Sequence, residues 1–200
     1  QSQGALLRSL MLAILFAIRE EVKPLLREFK TDAKLEVRPA TIWKGHWKDF
    51  PLVLVQTGIG MNKAHEATQK LLDYFLPHHA VSAGYAGGLQ PGLRVGDLVT
   101  PREVSDGANP PQILDHAGEG RLLTVQKPLM SVAEKQAAGE RGFTVVDMET
   151  YAEVQVLQKK NIPCTALRVV FDPLEEPLGF EDPSLIKSLW KKPELLLKNC

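Results

Sequence analysis

Apolar residues recur along this chain in short runs, and these runs alternate with segments in which they fall at helical spacing. Residues 11–17 are apolar throughout, which predicts a strand that is buried on both faces. Residues 62–75 repeat their apolar positions every three or four residues, which predicts an amphipathic helix. The same reasoning predicts further strands at 37–47, 50–56, 80–83, 97–100, 122–125, 144–148 and 164–171. It predicts further helices at 20–29, 131–139, 149–159 and 183–197.

This order of elements predicts the fold class. Strands that alternate with helices indicate an α/β fold with three layers, in which a central, largely parallel twisted sheet is flanked by helices. We expect residues 11–200 to form a single domain, and residues 1–10 to be an extension or a cloning remnant. Residues 107–120 are rich in Gly, Pro and Asn and predict a loop.

Composition narrows the class of protein. Hydrophobic residues make up 44% and charged residues 24% of 200 residues, and the net charge is zero, so neither a nucleic-acid-binding surface nor a membrane partner is indicated. The longest apolar run, residues 10–18, is too short to span a bilayer, and charged residues follow it in place of a signal-peptide cleavage site. Cys164 and Cys200 form neither a disulfide framework nor a metal-ligand pattern, which favours a cytoplasmic location and no metal.

Two glycine-rich segments follow predicted strands. The turn at 57–60, Thr-Gly-Ile-Gly, could present backbone N–H groups to an anion, but Lys63 stands where a dinucleotide-binding fingerprint needs its third glycine. An ordinary strand-to-helix turn is therefore favoured there. Residues 84–88, Gly-Tyr-Ala-Gly-Gly, hold three glycines in five residues, which favours a ligand cleft because a ligand or another backbone can approach closely.

Charged residues stand at the ends of several predicted strands. Glu149 follows a strand and opens a helix, where a carboxylate could hold sugar hydroxyls or simply favour the helix dipole. Arg168 interrupts an apolar strand and requires an acidic partner if it is buried, and Asp172 ends that strand. An interface arginine and a loop aspartate are equally consistent with this pattern. Glu21 follows the first strand, and for a lone acidic pair with Glu20 a solvated helix start is favoured.

Taken together, these segments resemble the nucleoside phosphorylase/nucleosidase superfamily, and in particular the 5'-methylthioadenosine/S-adenosylhomocysteine nucleosidases. The resemblance is carried by five segments in one order, at 17–22, 57–64, 84–99, 146–149 and 168–172. Residues 128–172 are also similar to the branch known as hopanoid-associated phosphorylases. The resemblance implies a phosphorylase/hydrolase-like fold, a small nucleoside substrate, no cofactor, and a homo-oligomer, most simply a dimer.

The resemblance also implies a role for individual residues. Glu21 matches the carboxylate that activates the attacking water, and Asp172 matches the acid that protonates the purine leaving group. Glu149 matches the residue that binds the ribose hydroxyls, and Met148 the residue that packs on the sugar. Arg168 matches the arginine that supports the ribose-binding glutamate. The substrate pocket is completed by four residues of the glycine-rich segment and one beside the acid, namely Gly84, Tyr85, Ala86, Gly87 and Phe171.

The chain departs from this family at several of these positions. Ser82 stands where phosphorylases carry an arginine for phosphate, and an early phosphate loop is replaced by residues 17–19, so water is favoured as the nucleophile. Arg19 could still hold phosphate, which keeps a purine nucleoside phosphorylase as the alternative. Tyr85 and Phe171 replace small polar residues, and these changes also leave open a nucleoside-binding protein with impaired catalysis.

Overall fold

The computed structural model describes residues 11–115 and 118–175, which form one mixed sheet with helices packed against it. The strands in this part of the chain are β1 (Leu12–Phe16), β2 (Phe29–Val37), β3 (Ala40–Trp47), β4 (Phe50–Gln56), β5 (His79–Gly88), β6 (Leu98–Val99), β7 (Glu103–Ser105), β8 (Gln112–Ile113), β9 (Arg121–Thr124), β10 (Val145–Asp147) and β11 (Cys164–Asp172). The helices are α1 (Arg19–Leu26), α2 (Met61–Tyr74), α3 (Val132–Glu140) and α4 (Thr150–Gln158).

The predicted α/β fold is confirmed, and its central sheet is mixed and not purely parallel. The strand order is β2-β3-β4-β1-β5-β10-β9-β7-β8, with β11 paired to β5 and β6. Strands β4, β1, β5 and β11 are parallel neighbours, whereas β2, β3 and β4 form an antiparallel meander and β10 runs antiparallel to β5. Short connections between consecutive strands favour antiparallel pairing, which explains why the sheet is mixed.

Strand β2 was missed in the sequence because its pattern is polar. The helix predicted to reach Phe29 ends at Leu26, and Phe29 is instead the first residue of a strand whose next five residues are exposed. An edge strand of this kind carries no apolar signal. Residues 38–39 separate β2 from β3, so the strand predicted at 37–47 begins at Ala40 instead.

The core lies on both faces of the parallel strands. β1 is buried along most of its length, as its apolar run predicts, and α2 buries Ala64, Ala67 and Leu71 against the sheet. Within the described ranges, no helix is long and apolar enough to cross a membrane. The helix predicted at 183–197 lies outside the described residues.

The mixed sheet positions the polar residues that the sequence singled out. β1, β5 and β11 are parallel, so the residues after β1, the second half of β5 and the end of β11 meet at one edge. β10 runs the other way, with Val146 opposite Gly87 of β5, and so carries Asp147 back toward the same place. The glycine-rich segment 84–88 lies within β5 instead of forming a turn after it.

Candidate functional site

Glu21 lies in the first turn of α1 and is tied to two backbone N–H groups. Its Oε2 accepts a hydrogen bond from Ile18 at 3.0 Å, and its Oε1 accepts one from Tyr85 at 2.9 Å. A Cβ added at Gly84 would lie 2.7 Å from Glu21 Oε1, so this glycine lets the carboxylate lie against β5. Burial raises the pKa of Glu21, although both N–H groups oppose the shift. Glu21 is therefore a carboxyl group held against β5 and not a solvated helix start.

Glu149 lies between β10 and the turn at 57–60. Its Oε1 accepts a hydrogen bond from the backbone N–H of Gly60 at 2.7 Å. Gly58 and Gly60 have φ values of 86° and 94°, in the left-handed region that glycine adopts readily. The turn thus presents an N–H group to a carboxyl group of the chain itself. Burial, together with neighbouring Asp147, raises the pKa of Glu149 to about 8.

Arg168 is buried at the centre of a hydrogen-bonded cluster. Its Nη2 and Nε donate to Asp147 Oδ2 at 2.8 and 3.2 Å, which identifies the acidic partner that a buried arginine requires. The same guanidinium donates to the carbonyl and hydroxyl oxygens of Ser82 at 2.9 and 2.7 Å and to the hydroxyl of Thr150. Asp147 Oδ1 accepts a hydrogen bond from Thr124 at 2.6 Å. All three guanidinium nitrogens are therefore engaged within the protein.

Asp172, at the end of β11, is paired with a lysine. Its Oδ2 lies 2.5 Å from Lys135 Nζ, and the lysine side chain is completely buried. A Cβ added at Gly87 would lie 3.2 Å from Asp172 Oδ2 and 3.0 Å from a methyl group of Val146. Gly84 and Gly87 thus make room for two carboxylates of the chain itself, in addition to any ligand.

One cleft collects most of the residues predicted for the substrate pocket. The rings of Tyr85 and Phe171 lie 5.7 Å apart at an angle of 54° on its wall, and burial raises the pKa of Tyr85. The apolar remainder of the wall includes Val125, Pro128 and Leu129. The predicted residues in the lining are Tyr85, Ala86, Gly87, Met148, Glu149, Phe171 and Asp172.

Three predicted residues lie beside this cleft and not on its wall. Glu21, Gly84 and Arg168 line a second, smaller cavity. This cavity has a volume of about 10 Å³, which is about the space that one water molecule needs. Tyr85 and Glu149 line both the cleft and the small cavity. The three acids at 21, 149 and 172 therefore surround two adjoining hollows, with Glu149 between them.

Glu153 is a further acid that sequence reasoning missed. It lies in α4 with 1% of its surface exposed, it lines the small cavity, and its Oε2 is buried with no hydrogen-bond partner among the described residues. Burial raises the pKa of Glu153 to about 7, although Arg168 opposes the shift. Four carboxyl groups, including those of Glu21, Asp147 and Glu149, thus surround one guanidinium.

The raised pKa of Glu153 predicts a stability that depends on pH. Because the pKa is higher in the folded chain than its ordinary value of 4.5, the stabilisation is complete below about pH 4.5 and is lost as pH rises through about 7. We expect the free energy of unfolding, measured in urea, to fall between pH 5 and pH 8, and Glu153→Gln to flatten that slope. The exposed variant Glu66→Gln should keep the wild-type slope. An unchanged slope in Glu153→Gln would contradict the burial of an ionisable carboxyl group.

Sequence reasoning missed two charged residues of the site, Glu153 and Lys135, and their signals in the sequence differ. Glu153 falls four residues after Glu149, on the same face of the predicted helix, so its inward position could have been predicted from spacing. The position of Lys135 could not have been predicted, because α3 has no distinct apolar face that marks its inward side. Of its residues, only Lys135 and Ala138 are buried.

The sequence of the chain is similar to one protein family over most of its length. The model of the Phosphorylase superfamily matches residues 11–119 and 116–188. A 5'-methylthioadenosine/S-adenosylhomocysteine nucleosidase of Geobacillus kaustophilus (strain HTA426) is 38% identical over 92 residues, which is 46% of this chain and 39% of that protein. The matched region thus spans about two fifths of this curated relative.

Solved structures show the same fold. The nucleosidase of that name from Colwellia psychrerythraea 34H, in complex with adenine, superposes with a TM-score of 0.74 at 24% identity, covering 84% of this chain and 86% of that chain. The futalosine hydrolase of Helicobacter pylori strain 26695 gives 0.73 at 20% identity, covering 95% and 96%. The resemblance in the sequence is thereby confirmed at the level of the family, and the chain belongs to the phosphorylase superfamily.

Proposed function

We propose that this protein is a nucleosidase that cleaves the N-glycosidic bond of a purine nucleoside, with water as the nucleophile. The observation that carries the proposal is the position of Glu149, which lines both the cleft with Asp172 and the small cavity with Glu21. A ribose held at Glu149 would have an acid on one side and a base on the other. This is the arrangement that cleavage through an oxocarbenium-like state requires.

Each acid then has a distinct task. Asp172 gives a proton to a nitrogen of the purine as the bond to the sugar breaks, so that the base does not leave as an anion. Glu21 takes a proton from the water that attacks the opposite face of the sugar. Glu149 accepts hydrogen bonds from the ribose hydroxyls, and Met148, beside it on the cleft wall, packs on the sugar. Arg168 supports this wall through Asp147, the residue before Met148.

Water is favoured over phosphate by the charges around the small cavity. Glu21, Glu149 and Glu153 line it, and the guanidinium of Arg168 is already hydrogen-bonded to Asp147 and Ser82. A phosphate dianion would meet three carboxyl groups there, and the one guanidinium among the described lining residues is already engaged. Arg19, the remaining phosphate ligand suggested by the sequence, has an exposed side chain.

The substrate is proposed to be an adenosine derivative substituted at the 5' position. The names of the relatives support this, since they refer to 5'-methylthioadenosine, S-adenosylhomocysteine and futalosine. The apolar residues Val125, Pro128 and Leu129 supply a wall for a purine or an apolar 5' group.

We also propose a cytoplasmic location, supported by the reduced, buried thiol of Cys164. We propose in addition that the protein is a homodimer, and light scattering would test this oligomeric state.

A panel of nucleosides tests the reaction directly. Adenosine, 5'-methylthioadenosine, S-adenosylhomocysteine and futalosine are incubated with the protein, with and without inorganic phosphate, and free base and sugar are quantified. We expect base release at the same rate in both conditions, with the free sugar as the second product. Base release that requires phosphate and yields a sugar 1-phosphate would establish a phosphorylase instead. Binding without release would point to a nucleoside-binding protein with Tyr85 and Phe171 as the altered residues.

A further inference from the structure

Lys135 is a buried ammonium group for which the proposed reaction has so far no use. Its side chain is 0% exposed, its Nζ lies 2.5 Å from Asp172 Oδ2, and it donates to the backbone carbonyl of Pro173 at 3.0 Å. Lysine is almost never fully buried unless it is paired. A buried ion pair adds little stability over apolar side chains of the same shape, so stability alone does not explain it.

The helix that carries Lys135 is held firmly in place. At its start, Ser131 Oγ accepts a hydrogen bond from the Glu134 N–H at 3.2 Å, and Glu134 Oε2 accepts one from the Ser131 N–H at 2.9 Å. At its end, the carbonyl of Gly139 accepts a hydrogen bond from Gln90 at 2.9 Å. These contacts hold α3, and with it the ammonium, beside Asp172.

Among the residues that the structure describes around Asp172, Lys135 is the cation in contact with it. The other ionisable groups lining the cleft are Tyr85 of β5, Asp147 of β10 and Glu149 before α4, and each is neutral or acidic. Arg168 faces Asp147, to which it is hydrogen-bonded. An ammonium in contact with a carboxyl group favours the charged form of that group.

We propose that Lys135 is a positioning residue that acts through Asp172. It holds the carboxyl group toward the cleft, and it sets the pH range in which that group carries a proton. The inference rests on the proposed function for the role of Asp172. When the proton passes from Asp172 to the purine nitrogen, the electrons of the sugar–base bond go to the base, and water attacks the sugar carbon and loses a proton to Glu21. Lys135 stabilises the carboxylate that Asp172 becomes.

The pH dependence of base release tests this role. Because Asp172 must be protonated to act, activity is present at low pH and is lost as pH rises through its titration midpoint. Lys135→Met removes the charge that favours the carboxylate. We expect the alkaline limb of the kcat/KM profile to move to higher pH by about 1 unit or more. Lys135→Arg keeps the charge and should leave the limb within a few tenths of a unit, as should the exposed variant Lys70→Met.

A titration that needs no catalysis separates this inference from the proposed function. The protein is labelled with ¹³C at the aspartate carboxyl carbons, and the Asp172 signal is identified by its absence in Asp172→Asn. In Lys135→Met, the midpoint of this signal should lie about 1 unit or more above its midpoint in the wild-type protein.

The outcomes are distinct. Equal midpoints in the wild-type protein and Lys135→Met overturn the role of Lys135. If Lys135→Met does not fold, Lys135→Gln takes its place in the same comparison, and equal midpoints again overturn the role. The expected titration together with a protein that releases no base from any nucleoside would uphold the action of Lys135 on Asp172, and it would overturn the nucleosidase.

Discussion

Replacing Asp172 by asparagine is expected to lower kcat/KM for base release by about 10²–10⁴-fold, the range typical for loss of a general acid. Asparagine has nearly the same shape as aspartate but cannot give up a proton to the leaving purine. The measurement is the initial rate of free-base formation on the best nucleoside of the panel. Asp73→Asn, which makes the same change at an exposed site of α2, should keep the wild-type rate. Full activity in Asp172→Asn would remove Asp172 from the reaction.

The structure changes what the same variant is expected to do to stability. From the sequence alone, Asp172→Asn is expected to spare the fold, since Asp172 reads as the end of a strand. With Lys135 buried beside it, the substitution leaves an ammonium without its partner, which costs about 3–5 kcal/mol in comparable cases. The double variant Asp172→Asn/Lys135→Met should regain much of this stability in urea and stay inactive. A double variant no more stable than Asp172→Asn would contradict the buried pair.

Replacing Arg168 by methionine is expected to destabilise the protein by about 3–5 kcal/mol, because it leaves a buried carboxylate unpaired. Asp147 would lose its ion pair while Glu149 and Glu153 stay close to it, and Ser82 would lose two hydrogen bonds. Methionine fills a similar volume, so the loss reports charge and hydrogen bonding more than packing. The measurement is the midpoint of urea unfolding at pH 7.

The matched control for Arg168→Met is Arg121→Met. Arg121 also forms an arginine–carboxylate pair, with Glu103, but its side chain is 31% exposed, against 3% for Arg168. Removal of this partly exposed ion pair is expected to lower the free energy of unfolding by about 1 kcal/mol or less. If the two variants unfold at the same urea concentration, the cluster around Arg168 does not carry the stability assigned to it here.

The local pattern of the sequence determined the elements and the family. The apolar run of β1 and the helical spacing in α2 follow from properties of neighbouring residues, and the structure agrees with both. The acids at 21, 149 and 172 were marked by their positions beside predicted strands. These predictions succeed because periodicity and strand ends are visible in a few consecutive residues.

Only the tertiary structure decided which groups meet. Strand pairing joins residues far apart in the chain, such as Arg168 with Gly84, and no local pattern encodes that register. Strand pairing decided which strands of the sheet are antiparallel, and it brought Arg168 into contact with Asp147. It also placed Lys135, from a helix with no marked apolar face, against Asp172. The charge on each acid depends on such distant neighbours and on burial, and both exist only once the chain is folded.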